Sequence, residues 1–309
     1  MFIPYISEPT RKLFIRKGGG GGGGHGGGGR GGSSRGGGGS VKSSTGAVAK
    51  GSANFAGAGR TSIPLTSGGQ SIKATPFGNG GGSKTTIPPQ QPFSGREVGG
   101  GTRSQVYGTS TYGSGYPGIS GRGVTGRGFP YAFYPVVFIP PIAVGAPYLY
   151  NSEYGKPDNT SRPGGPLQEI SIASNISTFH IISDNATVYY LHSILPTSCS
   201  GTTTFQVTLP QSYNSSQISG VQPEQAIQYY RASSAVLTLD GYNNTAAFGS
   251  DESAPPTPLP RNIDTNLMTC INQTIGGSIP LVGGGIRTSG PSSALIFLVF
   301  WVIWFCNTL

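Results

Sequence analysis

Six Asn-X-Ser/Thr triplets, at Asn159, Asn175, Asn185, Asn214, Asn243 and Asn272, are the densest chemically meaningful pattern in this 309-residue chain. In the secretory route the carboxamide nitrogen of such an Asn accepts an oligosaccharide. All six lie between residues 151 and 274, a Ser/Thr-rich stretch where chance would supply roughly two or three. Two cysteines point to the same compartment. Cys306 sits in the terminal apolar tail, which leaves Cys199 and Cys270, each on the apolar face of a predicted helix. An oxidising environment would pair them across a loop of about seventy residues, worth roughly 3–5 kcal/mol in the chain-entropy picture. Two buried thiols are the alternative.

Residues that could run a reaction are scarce. The three histidines are His25 in a glycine tract, His180 in a strand and His192 in a helix. No Cys/His grouping has zinc spacing, and no metal or cofactor is expected. An enzyme hydrolysing polysaccharide would need two carboxylates at one cleft; Asp184 and Asp240, both at strand ends, are the only candidates. Two G-x-G-x-x-G strings, at Gly113/Gly115/Gly118 and Gly121/Gly123/Gly126, lack the strand before and helix after that a dinucleotide site needs. The run from Gly78 to Thr85 nearly spells a phosphate loop, but Ser83 replaces its last glycine. Arg30-Gly-Gly and Arg35-Gly-Gly resemble RNA-binding RGG boxes, in too few copies to make nucleic acid the preferred partner.

The elements that must position these residues are unevenly distributed. Residues 1–128 hold 39 of the 53 glycines and 15 Lys/Arg against two Glu, while the remainder carries five basic and nine acidic residues. So glycine-rich a stretch buries too little apolar surface to offset its ordering entropy. The expected fold class is therefore a mostly disordered Gly-rich N-terminal half plus one small α/β or α+β domain and a short apolar C-terminal helix. Residues 1–17 form an atypical N-terminus whose apolar run is broken by Glu8, Arg11 and Lys12, unlike a secretory leader. The conflict between that N-terminus and the six acceptors and apolar tail leads to the expectation that Met1 is not the functional start or that an upstream exon is missing. Residues 18–128 read as a disordered basic Gly/Ser/Tyr-rich region able to bind polyanions. Residues 129–150 form an apolar Pro/aromatic segment, too Pro-rich for a membrane helix and read as extended chain packed against the domain or self-associating, with a membrane-associated element as the alternative; 151–164 read as a linker.

The domain is expected over 165–280. Phe179, Ile181 and Ile182 predict a strand ending at Asp184-Asn185, a helix cap. Val188, Leu191, Leu195 and Cys199 then share one helical face. Pro223 would open a second helix, Ala235–Leu239 reads as a buried strand, and Asn262 would cap a last helix stopped at Gly276-Gly277. On that helix Asn272 would point outward, opposite Ile263. Residues 281–293 form a spacer and 294–309 a hydrophobic tail. Small residues Gly283, Gly284 and Gly285 before a polar spacer and an apolar tail match a glycosylphosphatidylinositol-anchor signal; a permanent tail helix is the alternative.

Several stretches are similar to a family of uncharacterised glycine-rich secreted or surface proteins of mushroom-forming fungi. They are GTRSQVYG (101–108), YGSGYPG (112–118), GRGFP (126–130), NSEYGKPDN (151–159) and YYRASSAVLTLDGYNNTA (229–246). The resemblance implies a Gly-rich arm, a small glycosylated domain and secretion, without catalytic residues to transfer. The chain departs from it at Tyr134-Pro-Val-Val-Phe138, where family members carry Trp at both ends. The resulting expectation is a non-enzymatic cell-surface or cell-wall-associated glycoprotein on the extracellular face of the plasma membrane. Its membrane contact would be the C-terminal anchor, and its basic arm would meet cell-wall polysaccharide or another polyanion. The alternative is a tail-anchored membrane protein whose cytosol-facing RGG-like arm binds RNA or acidic lipid. Composition does not set an oligomeric state.

Overall fold

The computed structural model describes residues 62–283, apart from 119–120, 139–146, 151, 214–219, 250 and 252. In chain order the elements are β1 (Ile63–Ser67), β2 (Gln70–Thr75), β3 (Thr85–Thr86), β4 (Glu97–Val98), β5 (Leu167–Ser174), β6 (Thr178–Asp184), α1 (Asn185–Ser198), β7 (Phe205–Val207), β8 (Gln211–Ser212), β9 (Ala226–Tyr230), β10 (Ala235–Leu239), α2 (Thr265–Ser278) and β11 (Leu281–Val282). The main sheet is antiparallel in the order β7-β5-β6-β10-β9, with β8 also on β5. A smaller sheet runs β1-β2-β11, and β3 pairs with β4. The small sheet-rich domain with two helices is therefore α+β.

Register assigns the faces. Ile170, Ile172, Phe179, Ile181 and Leu237 share the side on which α1 and α2 pack. The opposite side carries Leu167, Ile182, Val236 and Tyr229. This second face is covered by segments expected to be a disordered tract, an apolar segment and a linker. Val106, Tyr112, Val124, Phe129, Phe133, Val136, Phe138 and Tyr154 are all buried in the same core. Tyr112 packs edge-on against Tyr229 at 5.6 Å, and its hydroxyl donates to the Val136 carbonyl at 2.6 Å. Phe93, Phe129, Tyr134 and Tyr154 form one aromatic cluster with centroids 4.7–5.8 Å apart.

The expected disorder is thus corrected over 62–118 and 121–128, and the domain boundary at 165 moves back to Ile63. The physical reason is that glycine here buys close backbone approach for buried tyrosines. Gly113, at φ 93°, lies so near the Gly123 backbone that a Cβ would overlap it. All six glycines of the two G-x-G-x-x-G strings have positive φ, so the strings are turns. The irregular segments leave carbonyls without ladder partners, and arginines fill them. Arg103 donates to the carbonyls of Gly78 and Gly276, Arg127 to Gly113, Gly121 and Arg122, and Arg162 to Tyr154, Tyr134 and Pro135. Burial pulls Arg103 and Arg162 down to about 10, still protonated at neutral pH.

Secondary structure follows the sequence expectations in part. Helix α1 forms as expected, its first turn capped by Asp184, which accepts from Thr187 N at 3.0 Å. Pro223 opens only a 3-10 turn, Pro223–Gln225, and the expected helix is strand β9. Tyr229 and Tyr230 are both fully buried on opposite faces there, which a strand permits and one helical stripe does not. Helix α2 is capped by Asp264 rather than Asn262, and it continues through Gly276-Gly277. Tyr107 covers Gly276 so closely that any Cβ would collide with its ring.

The β9–β10 turn holds the molecule's most demanding site. Arg231, Ala232 and Ser233 have φ of 51°, 54° and 61°, three consecutive left-handed residues, each costing about 1–2 kcal/mol. Arg231 is wholly buried. All five of its guanidinium N–H groups are used: on Ser234 Oγ at 2.6 Å, Thr187 Oγ1 at 3.1 Å, Pro280 O at 3.0 Å, Ser183 Oγ at 3.3 Å and Asp184 Oδ2 at 2.5 Å. Its charge lies 3.4 Å from the Phe133 ring centroid. Burial lowers its pKa, opposed by Asp184. Backbone bonds tie the same turn to Val106 and Val136, and the Gly113 N–H donates to Ser233 Oγ at 2.9 Å.

Two outcomes follow from this architecture. Limited proteolysis under non-reducing conditions should leave a resistant fragment running from near residue 62 to near residue 283; a fragment starting near 165 would contradict the assigned core. Arg231→Met should lower the unfolding free energy by about 3–5 kcal/mol, because it strands a buried carboxylate. Asp184→Asn should do likewise, and urea denaturation of the double variant should show a loss well below the sum of the two.

Candidate functional site

Three strands bring together a cluster of titratable side chains around His180 on the main sheet's second face. His180 on β6 lies across from Ser171 on β5 and Thr238 on β10. Glu169 on β5 and Asp240, just past β10, reach it diagonally. His180 Nδ1 is 2.7 Å from Glu169 Oε1, and Nε2 is 3.0 Å from Asp240 Oδ1. The imidazole is 15% exposed, Glu169 25% and Asp240 51%. Burial alone lowers the His180 pKa, but the Glu169 hydrogen bond and the Asp240 charge outweigh it, and the net shift is upward. Tyr213 also senses Glu169: burial first, then that carboxylate, push its hydroxyl pKa up.

The chemistry open to this trio is narrow. With both ring nitrogens held by carboxylates, no nitrogen is left to take a proton from a substrate hydroxyl. The carboxylates sit on opposite sides of the ring and do not converge on one point. Among the described residues no group of His, Cys, Asp or Glu could hold a metal ion. The arrangement is a proton-linked tie across β5, β6 and β10.

The carboxylate pair suggested by the sequence separates. Asp184 lies at one end of β6, buried against Arg231, and Asp240 at the other, where its N–H bonds Thr178 O. Six residue steps at about 3.3 Å put them roughly 20 Å apart, so they cannot share a cleft. A cavity of about 250 Å³ is lined by Lys84, Arg96, Glu97, Tyr116, Pro117 and Pro130, with a single carboxylate, itself 3.0 Å from Lys84. A more open groove of about 340 Å³ between α1 and β7 is lined by His192, Pro196, Phe205 and hydroxyl side chains. Neither holds an acid/base pair.

Cys199, at the C-terminal cap of α1, is bonded to Cys270 on α2, with Cα atoms 5.8 Å apart. The acceptor asparagines divide. Asn175 and Asn243 are exposed, the first in the β5–β6 hairpin and the second after the β10 turn. Asn159 is half-buried, and its Oδ1 accepts from Ser161 N at 2.9 Å and Oγ at 2.6 Å. Asn185 opens α1 beneath Gly165, and its partner Thr187 is fully buried in the Arg231 cluster. Asn272 does not point outward: it accepts from the buried Tyr230 hydroxyl at 2.7 Å, because Ile263 lies before the helix rather than on it. Asn214 lies outside the described residues.

Gly283 is exposed beside Gly81. Gly284, Gly285 and the tail at 294–309 lie outside the described residues, as do residues 1–61. Among the described residues no helix is long and apolar enough to cross a membrane. Comparison with protein-family models, curated proteins and solved structures found no match to this chain.

Glu169 escapes sequence reading because strand β5 does, although the alternation Glu169-Ile170-Ser171-Ile172 is a period-2 signal. Arg231 carries a fainter one, a lone charge inside the apolar run 226–239.

The His180 tie has a pH signature. Because the folded-state pKa is raised, its stabilisation is whole below the ordinary imidazole value of 6.5 and fades as pH rises through the higher folded-state value. The stability difference between the wild-type chain and His180→Gln should therefore be largest in mild acid and shrink toward alkaline pH. Urea midpoints across that range measure it; a constant difference would show that the imidazole binds no extra proton in the fold.

Proposed function

We propose that this chain is a non-enzymatic cell-surface or cell-wall-associated glycoprotein, held on the extracellular face of the plasma membrane by a glycosylphosphatidylinositol anchor. The observation that carries this reading is the Cys199–Cys270 bond between α1 and α2. Structural disulfides persist in oxidising compartments and are rare in the cytosol. Exposed acceptors at Asn175 and Asn243 support the same route. The disulfide counts against the alternative of a tail-anchored protein with a cytosol-facing arm.

The basic partner surface shrinks relative to composition. Arg96, Arg103, Arg122 and Arg127 are engaged inside the fold, on Glu153 or on carbonyls. Residues 1–61 hold nine Lys/Arg and one Glu, so they are the part that would meet wall polysaccharide or another polyanion. Their root is placed by register. Ile63 on β1 and Val282 on β11 both pair with Ala74 on β2, so the leading and trailing segments join the fold two strand spacings apart, about 10 Å. An anchor attached near Gly283 would thus hold the root of the basic segment close to the membrane, and the segment would act at the inner face of the wall.

Treatment of intact producing cells with phosphatidylinositol-specific phospholipase C tests the anchor. The expected outcome is release of a glycosylated product ending in the cluster Gly283–Gly285. A membrane-bound product still containing Cys306 and Leu309 would refute it.

A further inference from the structure

The described fold has two distinct ends, and the exposed acceptors share one of them. The β5–β6 hairpin turns at Ser174–Ser177, and β10 leaves the sheet opposite the same end of β6, with Leu239 paired to Phe179. Asn175 and Asn243 sit on these two neighbouring turns, and α2 begins beside them, where Asp264 N bonds Ser177 Oγ at 2.8 Å. Fourteen residues of α2 then run to the other end, about 21 Å away. There Pro280 meets Arg231, and β11 joins β2 next to β1. The roots of both terminal segments lie at this second end.

We propose that Asn175 and Asn243 carry N-linked oligosaccharides that cap the end of the domain remote from its terminal roots, while Asn185 and Asn272 stay bare. This deepens the surface-glycoprotein reading and rests on it. In the modification Nδ2 bonds to the anomeric carbon of a lipid-linked oligosaccharide donor, the bond from that carbon to the diphosphate leaving group breaks, and Nδ2 gives up one proton. The product needs open solvent around Nδ2. Asn175 and Asn243 are both exposed. Asn272 lies against Tyr230, one turn before Gly276 under Tyr107. Asn185 is packed on Gly165 in a turn whose amide at Ala186 bonds the Gly164 carbonyl. The exposed Ile176 between Asn175 and Ser177, 65% accessible, would be shielded by the adjoining glycan.

Site mapping on the full chain decides this. The chain is directed through a eukaryotic secretory host by a cleavable leader and digested with peptide-N-glycosidase in heavy-oxygen water, so each occupied Asn becomes labelled Asp. Label at Asn175 and Asn243 with none at Asn185 or Asn272 is the expected result. An unlabelled Asn175 or Asn243, or a labelled Asn185 or Asn272, overturns the assignment. In the same host N175Q and N243Q should each remove one glycan's worth of electrophoretic shift, and N272Q none. The surface reading fails separately: a bare chain recovered from its own cells sinks that reading, whatever sites the leader-directed protein fills.

Discussion

A cation with no water around it must find all its partners within the protein, and Arg231 is such a cation. Its five N–H groups reach acceptors on β6, α1, its own turn and the segment entering β11, and its face lies on Phe133. Those partners are separated by up to about a hundred and fifty residues, so no local element can provide them. The charge is neutralised only when the sheet, the first helix, the aromatic segment and the C-terminal strand have all assembled. Three left-handed residues in succession are tolerated because backbone bonds to Val106 and Val136, and the Gly113 N–H on Ser233 Oγ, hold them there. A buried pair of this kind adds little net stability against an apolar replacement, but it makes a partly assembled core expensive.

The same logic extends across the second face of the sheet. A covering layer made of loops presents carbonyls that no strand will satisfy, and unpaired buried carbonyls are costly. Arginine answers this better than lysine, because its planar fork reaches several carbonyls at once. Glycine lets those loops approach one another, and tyrosine fills the space between them while keeping a hydroxyl for a carbonyl, as Tyr112 does with Val136 and Tyr154 with Val124. Glycine, tyrosine and arginine in this chain are the materials of a loop-built layer.

The chemical inventory of the fold is correspondingly quiet. The histidine-centred cluster Glu169–His180–Asp240 faces inward on itself, with each imidazole nitrogen already held. The cysteine pair links the two helices that cover the opposite face. What differs from end to end of the domain is accessibility: exposed acceptors on the turns at one end, terminal roots and the buried ion pair at the other. Between the two ends lies a disulfide-linked helix pair packed on an antiparallel sheet.

Features that depend on local periodicity were legible in the amino-acid sequence. Helix α1 with its Asp184 cap, strand β10 with its Asp240-Gly241 turn and the body of α2 follow from spacing that any window of a dozen residues contains. For Cys199 and Cys270 the sequence left a bond or two buried thiols open, and the packing of α1 on α2 brings them together. Only the tertiary structure decided the rest. A glycine count reports the entropy of an isolated segment; it does not report that Tyr112, Phe129 and Tyr154 have a sheet face waiting for them, and burying those rings against it offsets the entropy. Whether Asp184 and Asp240 share a site depends on which ends of which strands they occupy. The fate of Asn272 turned on a neighbour forty-two residues away, Tyr230. And a lone Arg in an apolar run becomes the centre of a fold only once five acceptors from distant parts of the chain stand around it.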